Sequence, residues 1–182
     1  MKPLYILALL IIASSFLMAQ VETIKGPNIG EAAPDFTLPY ATKDGVSPTN
    51  ITLSSLFGTK NIVLAFYPAD WSGGCTKEVC SLRDDFESLG KLNAEILAIS
   101  GDYEYSHHEW AKFHNLPFKL VSDHKNAVAK AYNSFNPDNG FNKRTVYVID
   151  KHGNVVYIDL QYSVKDSKSF DRLKEELKKL QE

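Results

Sequence analysis

The sequence is poor in cysteine and has almost no net charge, and both features exclude whole classes of protein. Of its 182 residues only two are cysteines, Cys75 and Cys80. Two cysteines cannot build a disulfide scaffold or a four-sulfur zinc site, so they form at most one disulfide or one reactive pair. Lys and Arg number 20 against 22 Asp and Glu. With no basic excess to bind phosphates, the chain is not expected to bind nucleic acid.

The composition is that of an ordinary globular protein. Hydrophobic residues make up 44% of the chain and charged residues 23%, which excludes a disordered chain, a collagen-like repeat and a multi-span membrane protein. A domain of this size buries roughly 70% of its unfolded surface, so it can form a core without disulfides or metal ions to stabilise it. Neither an internal repeat nor a low-complexity linker is visible, and residues 20–182 are therefore predicted to form one domain.

The N-terminus is typical of a targeting segment. Lys2 is followed by an almost wholly apolar stretch at residues 4–18 and by the small residue Ala19. This pattern predicts a secretory signal peptide at residues 1–19 and a secreted or periplasmic protein. The alternative is an uncleaved membrane anchor, because the uncharged run at residues 3–21 approaches the roughly 20 residues that cross a bilayer.

The rest of the chain alternates between strand and helix patterns. Residues 61–67 form a continuous apolar run that suits a buried central strand, and residues 76–92 carry apolar side chains at helical spacing. Ser106 is a plausible helix N-cap. Further strands are predicted at residues 35–38, 51–53, 95–100, 118–121, 145–150 and 154–160, and further helices at residues 106–114, 126–134 and 166–180. This order indicates an α/β fold of thioredoxin-like layout, with a central mixed sheet flanked by helices.

Cys75 lies where a strand and its loop pass into a helix. The unpaired N–H groups and positive dipole end at a helix start stabilise a thiolate there. Gly73 and Gly74 let the backbone approach a small ligand, and Ser72 adds a hydroxyl that can donate to sulfur or to a bound oxygen. The context favours a reactive cysteine. The alternative is a buried, inert thiol or one half of a static disulfide.

Cys80 follows Cys75 by five positions. On an intact helix this spacing leaves the two Cα atoms roughly 8–9 Å apart, whereas a disulfide needs them within about 7 Å. The two cysteines can therefore bond only if the helix start unwinds. The spacing favours a pair that alternates between helix with thiols and unwound chain with disulfide. The alternative is that Cys80 is a small core residue.

Residues of this segment match the peroxiredoxin family, the thiol peroxidases built on the thioredoxin fold. Pro68, Ser72 and Cys75 match the family signature Pro-x-x-x-Thr/Ser-x-x-Cys. Glu78 matches the acidic position three residues after the cysteine, and Arg144 lies where the family carries its second active-site cation. Longer matching segments lie at residues 30–38, 66–68, 116–123 and 143–150.

The x4 spacing between Cys75 and Cys80 resembles the peroxiredoxin Q, or bacterioferritin comigratory protein, subgroup. The resemblance implies an antioxidant peroxidase in which the Cys75 thiolate attacks a peroxide and becomes a sulfenic acid. Cys80 then forms an intramolecular disulfide, which a thioredoxin-like donor reduces. Since the resolving cysteine is in the same chain, a monomer or weak dimer is expected.

The resemblance also implies roles for the remaining matched residues. Ser72 and Arg144 bind the peroxide oxygens, Glu78 orients Arg144, and Pro68 shields the sulfur and fixes the loop. Each residue has a plainer alternative: Arg144 as a surface cation, Glu78 as a solvated first-turn acid, and Pro68 as a strand terminator.

Neither a metal nor a cofactor is expected. None of the histidines forms a convincing ligand pair on a helix face, so all are interpreted as surface or structural residues. They are His107, His108, His114, His124 and His152.

Two other functions remain open. A secreted thiol–disulfide oxidoreductase is one, although that activity favours Cys-x-x-Cys spacing. A non-catalytic thioredoxin-like domain with a fixed disulfide is the other.

Overall fold

The structure is a computed structural model that describes residues 25–163 and 165–181. The predicted targeting segment at residues 1–19 lies outside the described residues. The strands are β1 (Thr37–Leu38), β2 (Tyr40–Thr42), β3 (Gly45–Val46), β4 (Ile51–Thr52), β5 (Asn61–Phe66), β6 (Ala94–Ser100), β7 (Lys119–Ser122), β8 (Phe135–Asn136), β9 (Phe141–Asn142), β10 (Thr145–Ile149) and β11 (Val155–Asp159). The helices are α1 (Gly73–Asp84), α2 (Phe86–Lys91), α3 (Glu104–His114), α4 (Ala127–Ala131) and α5 (Ser167–Lys179). No helix in these two ranges is long and apolar enough to cross a membrane.

A seven-stranded mixed sheet forms the centre of the molecule, in the order β11-β10-β5-β6-β7-β2-β3. The neighbours β5, β6 and β7 run parallel, and the other pairs are antiparallel. Every residue of β5 is buried, as its continuous apolar sequence predicts for a central parallel strand. The α/β prediction of a central mixed sheet flanked by helices is confirmed.

Two hydrophobic clusters cover the two faces of the sheet, because successive side chains of a strand point to opposite faces. Val63 and Ala65 of β5 belong to one cluster, and Ile62, Leu64 and Phe66 belong to the other. The first cluster includes side chains of α1, α3 and α5, namely Val79, Trp110 and Leu173. The second includes side chains of the N-terminal segment and α4, namely Phe36 and Val128. Cys75 lies in the first cluster, so the core on that side holds α1 against the sheet.

The helix predicted at residues 76–92 is two helices in the structure. α1 begins at Gly73, three residues earlier than predicted, because Ser72 caps it. It ends at Asp84, and Asp85 is both its C-cap and the N-cap of α2. Leu82 and Leu89 lie in the same buried cluster on either side of the break. The spacing of these apolar residues is therefore the same as in one continuous helix and does not reveal the break at Asp85.

Ser106 is not the N-cap of its helix. α3 begins at Glu104 after Tyr103, and the Ser106 hydroxyl instead donates a hydrogen bond of 2.8 Å to Asp70 Oδ2. The predictions also missed two short antiparallel pairs, β2 with β3 and β8 with β9. Their strands of two or three residues are too short to produce a readable alternation.

Candidate active site

Cys75 lies in the first turn of α1, directly behind the end of the central strand β5. Ser72 is the N-cap residue with extended backbone, and its Oγ accepts a hydrogen bond of 3.3 Å from the Cys75 N–H. The first N–H groups of a helix have no intrahelical acceptor, so donors collect around this position. The Cys75 side chain is fully buried. A thiolate here would lie in the favourable field of the positive end of the α1 dipole and would be shielded from bulk water.

Sheet pairing brings Arg144 to this helix from far along the chain. β10 pairs antiparallel with β5 in a register that sets Thr145 opposite Phe66, so Arg144 lies beside the loop that leads into α1. Its Nη2 donates to Cys75 Sγ at 3.2 Å, and its Nη1 donates to Glu78 Oε2. One guanidinium therefore joins the sulfur to a carboxylate one helical turn further on. A fixed cation in contact with the sulfur favours the thiolate.

Glu78 is an unusually placed carboxylate. Its side chain is 1% exposed, and Oε1 has no hydrogen-bond partner while Oε2 receives Arg144. Burial raises the pKa of Glu78 to about 7, and the charge and hydrogen bond of Arg144 act against that rise. The Glu78 charge therefore changes near neutral pH, and with it changes the anchor that holds Arg144 against Cys75.

Gly74 permits the close approach of the guanidinium. A Cβ atom at this position would lie 2.9 Å from Arg144 Nη2, closer than real Cβ contacts, whereas a Cβ at Gly73 would meet nothing within 4 Å. A cavity of about 420 Å³ opens at the same place. It is lined by Gly73, Gly74, Lys77, Arg144, Ser163 and Lys165. A small molecule in this cavity would meet both the helix N-terminus and the guanidinium that contacts sulfur.

Pro68 and Trp71 occupy the loop between β5 and α1. Pro68 is half-buried and lines a neighbouring cavity of about 210 Å³. Trp71 adopts a left-handed backbone with φ of 58°, which is rare for a bulky side chain. Its ring is 53% exposed and lies 5.7 Å from the ring of Phe113 on α3. Trp71 therefore faces the side of α1 that carries Cys80.

Cys80 points away from Cys75, toward the C-terminal end of α3. Its Sγ lies 3.8 Å from Nδ1 of His114, and both cysteines are free thiols. Burial raises the pKa of the Cys80 thiol. The structure thus brings together Ser72, Cys75 and Arg144, with Glu78 behind them, and leaves Cys80 on another face of α1.

A buried polar cluster beneath the active-site loop escaped the sequence analysis. The Asp70 carboxylate accepts from the Tyr67 hydroxyl and the Ser106 hydroxyl, each at 2.8 Å, and lies 2.9 Å from His107 Nδ1. His107 is fully buried, and its Nε2 has no partner. The cluster ties α3 to the loop that carries Ser72. The available signal was that His107 shares the buried face of α3 with Trp110 three residues later.

The histidines do not gather into a metal site. Among the residues that the structure describes, no three His, Cys, Asp or Glu side chains are grouped so that they could hold a metal ion. His108 Nδ1 lies 3.0 Å from the Thr42 carbonyl oxygen, which accepts a hydrogen bond from it. His124 stacks on Tyr103 with 3.9 Å between ring centroids.

Comparison with known proteins gives the class to which this site belongs. A model of the AhpC/TSA family matches residues 29–158, a range that includes β1 through most of β11 and the whole site. The chain therefore belongs to the AhpC/TSA family.

Named relatives narrow the class. The chloroplastic peroxiredoxin Q of Oryza sativa subsp. japonica is 43% identical over 132 residues, covering 71% of this chain and 57% of the rice protein. Peroxiredoxin Bcp of Bacillus subtilis (strain 168) is 36% identical over 144 residues, covering 76% of this chain and 88% of that protein. The matched region thus spans a little over half the length of the rice relative and of the chloroplastic peroxiredoxin Q of Triticum aestivum. The predicted resemblance to peroxiredoxins of the Q and Bcp type is confirmed.

Solved structures agree with the fold. Peroxidoxin BcpB from Mycobacterium tuberculosis has a TM-score of 0.74 and 28% identity, covering 85% of this chain and 98% of that chain. The reduced 2-Cys peroxiredoxin of Plasmodium vivax has a TM-score of 0.75 and 27% identity, covering 84% and 96%. The predicted thioredoxin-like fold is confirmed.

Proposed function

We propose that this chain is a thiol-dependent peroxidase that reduces hydrogen peroxide and organic hydroperoxides through Cys75. The observation that carries the proposal is the 3.2 Å contact between Arg144 Nη2 and Cys75 Sγ at the N-terminus of α1. A neighbouring cation and a helix N-terminus both favour the thiolate form of a cysteine, and the thiolate is the nucleophile of cysteine chemistry. Membership of a family whose relatives are named peroxiredoxins supports the same activity.

In the first step the Cys75 thiolate attacks one oxygen of the peroxide. A sulfur–oxygen bond forms, the oxygen–oxygen bond breaks, and the other oxygen leaves as water or an alcohol after taking up a proton. Negative charge develops on the leaving oxygen. The Arg144 guanidinium, the Ser72 hydroxyl and the N–H groups at the start of α1 are the donors suited to stabilise it. Glu78 orients Arg144, and Pro68 keeps bulk solvent from the loop.

In the second step Cys80 attacks the Cys75 sulfenic acid and forms a disulfide. Both cysteines lie on α1, where an intact helix holds their Cα atoms roughly 8–9 Å apart. The helix must open before the sulfurs can meet, since a disulfide needs less than about 7 Å. The free thiols on an unbroken α1 represent the reduced state in this scheme. A thioredoxin-like dithiol protein then restores both thiols.

The experiment that tests this function is peroxide consumption with a supplied dithiol. The wild type should turn over, and Cys75→Ser should not. Cys80→Ser should lose dithiol-protein-dependent turnover yet retain one sulfenic acid per chain, detected by mass spectrometry after dimedone trapping. Undiminished turnover by Cys75→Ser overturns the proposal.

We also propose that residues 1–19 are a signal peptide, so that a single domain at residues 20–182 acts outside the cytoplasm. The positive Lys2, the apolar stretch and Ala19 support this. The intact mass of protein isolated from its native host tests it, because a mature chain should begin at Gln20. A chain that retains residues 1–19 in the membrane fraction supports the anchor instead. The intramolecular cysteine pair needs no second subunit, which supports a monomer or weak dimer.

A further inference from the structure

The contact between Cys80 and His114 is a second reactive pair that lies outside the peroxide site. His114 is the last residue of α3, and its Nδ1 lies 3.8 Å from Cys80 Sγ, within hydrogen-bond range for sulfur. Cys80 is partly buried. The sequence offers no hint of it, because the two residues are 34 positions apart on different helices.

The Cys80–His114 pair is surrounded by charged groups on one side and by aromatic rings on the others. The charged groups that face it come from α1: Arg83 donates from Nη1 to the His114 carbonyl oxygen at 2.8 Å and also pairs with Asp84. On the other sides the imidazole meets uncharged rings. These are the rings of Trp71, Trp110 and Phe113.

These surroundings shift the pKa values of Cys80 and His114 in opposite directions. Burial raises the pKa of Cys80, with Arg83 lowering it and Asp84 raising it. Burial and then the charge of Arg83 lower the pKa of His114 below its ordinary 6.5. At neutral pH the sulfur is therefore a thiol and the imidazole is neutral. A neutral imidazole with its proton on Nε2 presents a lone pair at Nδ1, the atom that faces the sulfur.

We propose that His114 accepts the proton of Cys80 and so generates the thiolate that resolves the Cys75 sulfenic acid. The S–H bond of Cys80 breaks and its proton passes to Nδ1. The thiolate electron pair forms the disulfide bond with the Cys75 sulfur, whose bond to oxygen breaks. The oxygen leaves as hydroxide and becomes water when the imidazolium returns the proton through solvent. In total, one thiol and one sulfenic acid give one disulfide and one water.

Geometry explains why the resolving thiol needs a base of its own. Five helical residues turn about 500°, so Cys80 points about 140° away from Cys75 around α1 and shares none of its stabilisation by Arg144. Cys80 also lies beyond the first turn of α1, where the helix dipole does not favour a negative charge. While α1 is intact, His114 is the group in contact with Cys80 Sγ and is therefore placed to take its proton.

The proposal rests on the proposed peroxidase function, and the test separates the two. Sulfenic acid formation and disulfide formation are timed as separate phases after one equivalent of hydrogen peroxide is mixed with the wild type, His114→Gln and His108→Gln. His108 is the matched control because it lies on the same helix but bonds to the Thr42 carbonyl. We expect His114→Gln to slow disulfide formation at pH 7 at least tenfold and to leave sulfenic acid formation unchanged. His108→Gln should leave both phases unchanged.

The pH profile distinguishes a proton acceptor from a packing residue. In the wild type, disulfide formation should rise as His114 loses its proton below pH 6.5 and then reach a plateau. In His114→Gln it should rise only as Cys80 ionises by itself, above about pH 9. Added imidazole should restore the rate of His114→Ala at least partly.

The possible failures are distinguishable. If the wild type forms no sulfenic acid, the peroxidase function itself is wrong. If sulfenic acid forms but no Cys75–Cys80 disulfide follows, Cys80 is not the resolving residue and the role of His114 falls with it. If His114→Gln forms the disulfide at the wild-type rate, the proton-acceptor proposal is overturned and the peroxidase function stands. The same holds if His114→Gln is slower but keeps the wild-type pH profile and imidazole does not rescue His114→Ala.

Discussion

Replacing Gly74 by alanine should uncouple the reactive sulfur from its guanidinium without unfolding the protein. The new Cβ would lie 2.9 Å from Arg144 Nη2 and 3.7 Å from Cζ, and Nη2 is the nitrogen that donates to Cys75 Sγ. A carbon and a nitrogen that are not bonded cannot remain this close. Because Glu78 holds the other end of the guanidinium, we expect the displacement to fall on Nη2 and to disturb its contact with the sulfur.

The size of the effect follows from the bond that is lost. A hydrogen bond to a charged group contributes about 1.5–3 kcal/mol. The guanidinium favours the thiolate of Cys75 before the reaction and lies close enough to bind the leaving oxygen as charge passes to it, so its displacement should slow the reaction of Cys75 by about tenfold to 150-fold. Helix stability should move the other way, because alanine is a better helix former than glycine by up to about 1 kcal/mol. Reactivity should therefore fall while the free energy of unfolding stays level or rises.

The assay uses a Cys80→Ser background, so that only Cys75 reacts. Rates of oxidation by hydrogen peroxide and of alkylation by iodoacetamide at pH 7 are compared for the parent, Gly74→Ala and Gly73→Ala. Gly73 is the matched control because its Cβ would meet nothing within 4 Å.

Two results would refute this reasoning about Gly74. If Gly74→Ala reacts as fast as Gly73→Ala, the Arg144 contact does not activate the sulfur. If both variants slow equally, the cause is the backbone of the first turn and not the position of the guanidinium.

The remaining predictions concern charge, burial and capping. In the wild type, the raised pKa of Glu78 adds stability that is fully present below about pH 4.5, and up to about 3 kcal/mol of it is lost as the pH rises through about 7. Glu78→Gln should abolish this pH dependence, which urea unfolding at pH 5 and pH 8 measures. Asp70→Asn should lower the free energy of unfolding by about 1–3 kcal/mol, because the buried carboxylate accepts three hydrogen bonds that an amide cannot accept in full. Ser72→Ala should cost about 1 kcal/mol in thermal unfolding through loss of the helix cap, with Ser72→Thr restoring it.

Controls for these variants come from the same chain. Asp138→Asn changes an exposed aspartate and should leave the free energy of unfolding within about 0.5 kcal/mol. An Asp70→Asn protein as stable as Asp138→Asn would mean that the buried cluster does not hold the active-site loop. A pH slope that persists in Glu78→Gln would assign the titration to another group, and a Ser72→Thr protein as unstable as Ser72→Ala would remove the capping argument.

Local patterns determined the fold class, since each depends on residues close together in the chain. The uninterrupted apolar run that became β5 predicts a central strand because only a strand covered on both faces tolerates it. The helical spacing after Cys75 predicts a helix start close to it, whereas the cap at Ser72, which sets the start three residues earlier, was seen only in the structure. The break at Asp85 left no such mark, because the apolar spacing continues across it.

Part of the site could be predicted from the sequence, and part was decided by the tertiary structure. Ser72, Cys75 and Glu78 lie at the start and in the first two turns of α1, so their proximity could be predicted from spacing. Arg144 could be proposed only by resemblance, because no short-range pattern reveals which loop end the register of β10 on β5 brings to α1. Glu78 and Arg144 are 66 positions apart in the chain, and the pairing of strands in the sheet brings them into contact.

Tertiary packing alone decided the environments that set the chemistry. The sequence by itself determined an α/β fold and a cysteine at a helix N-terminus, because periodicity and capping are local. That Glu78 is buried with one oxygen unpaired, and that Cys80 meets His114, depends on how α1 packs against the sheet and α3. Burial and contact between distant elements are properties of the assembled core, and the protonation states on which both proposed steps depend are set there.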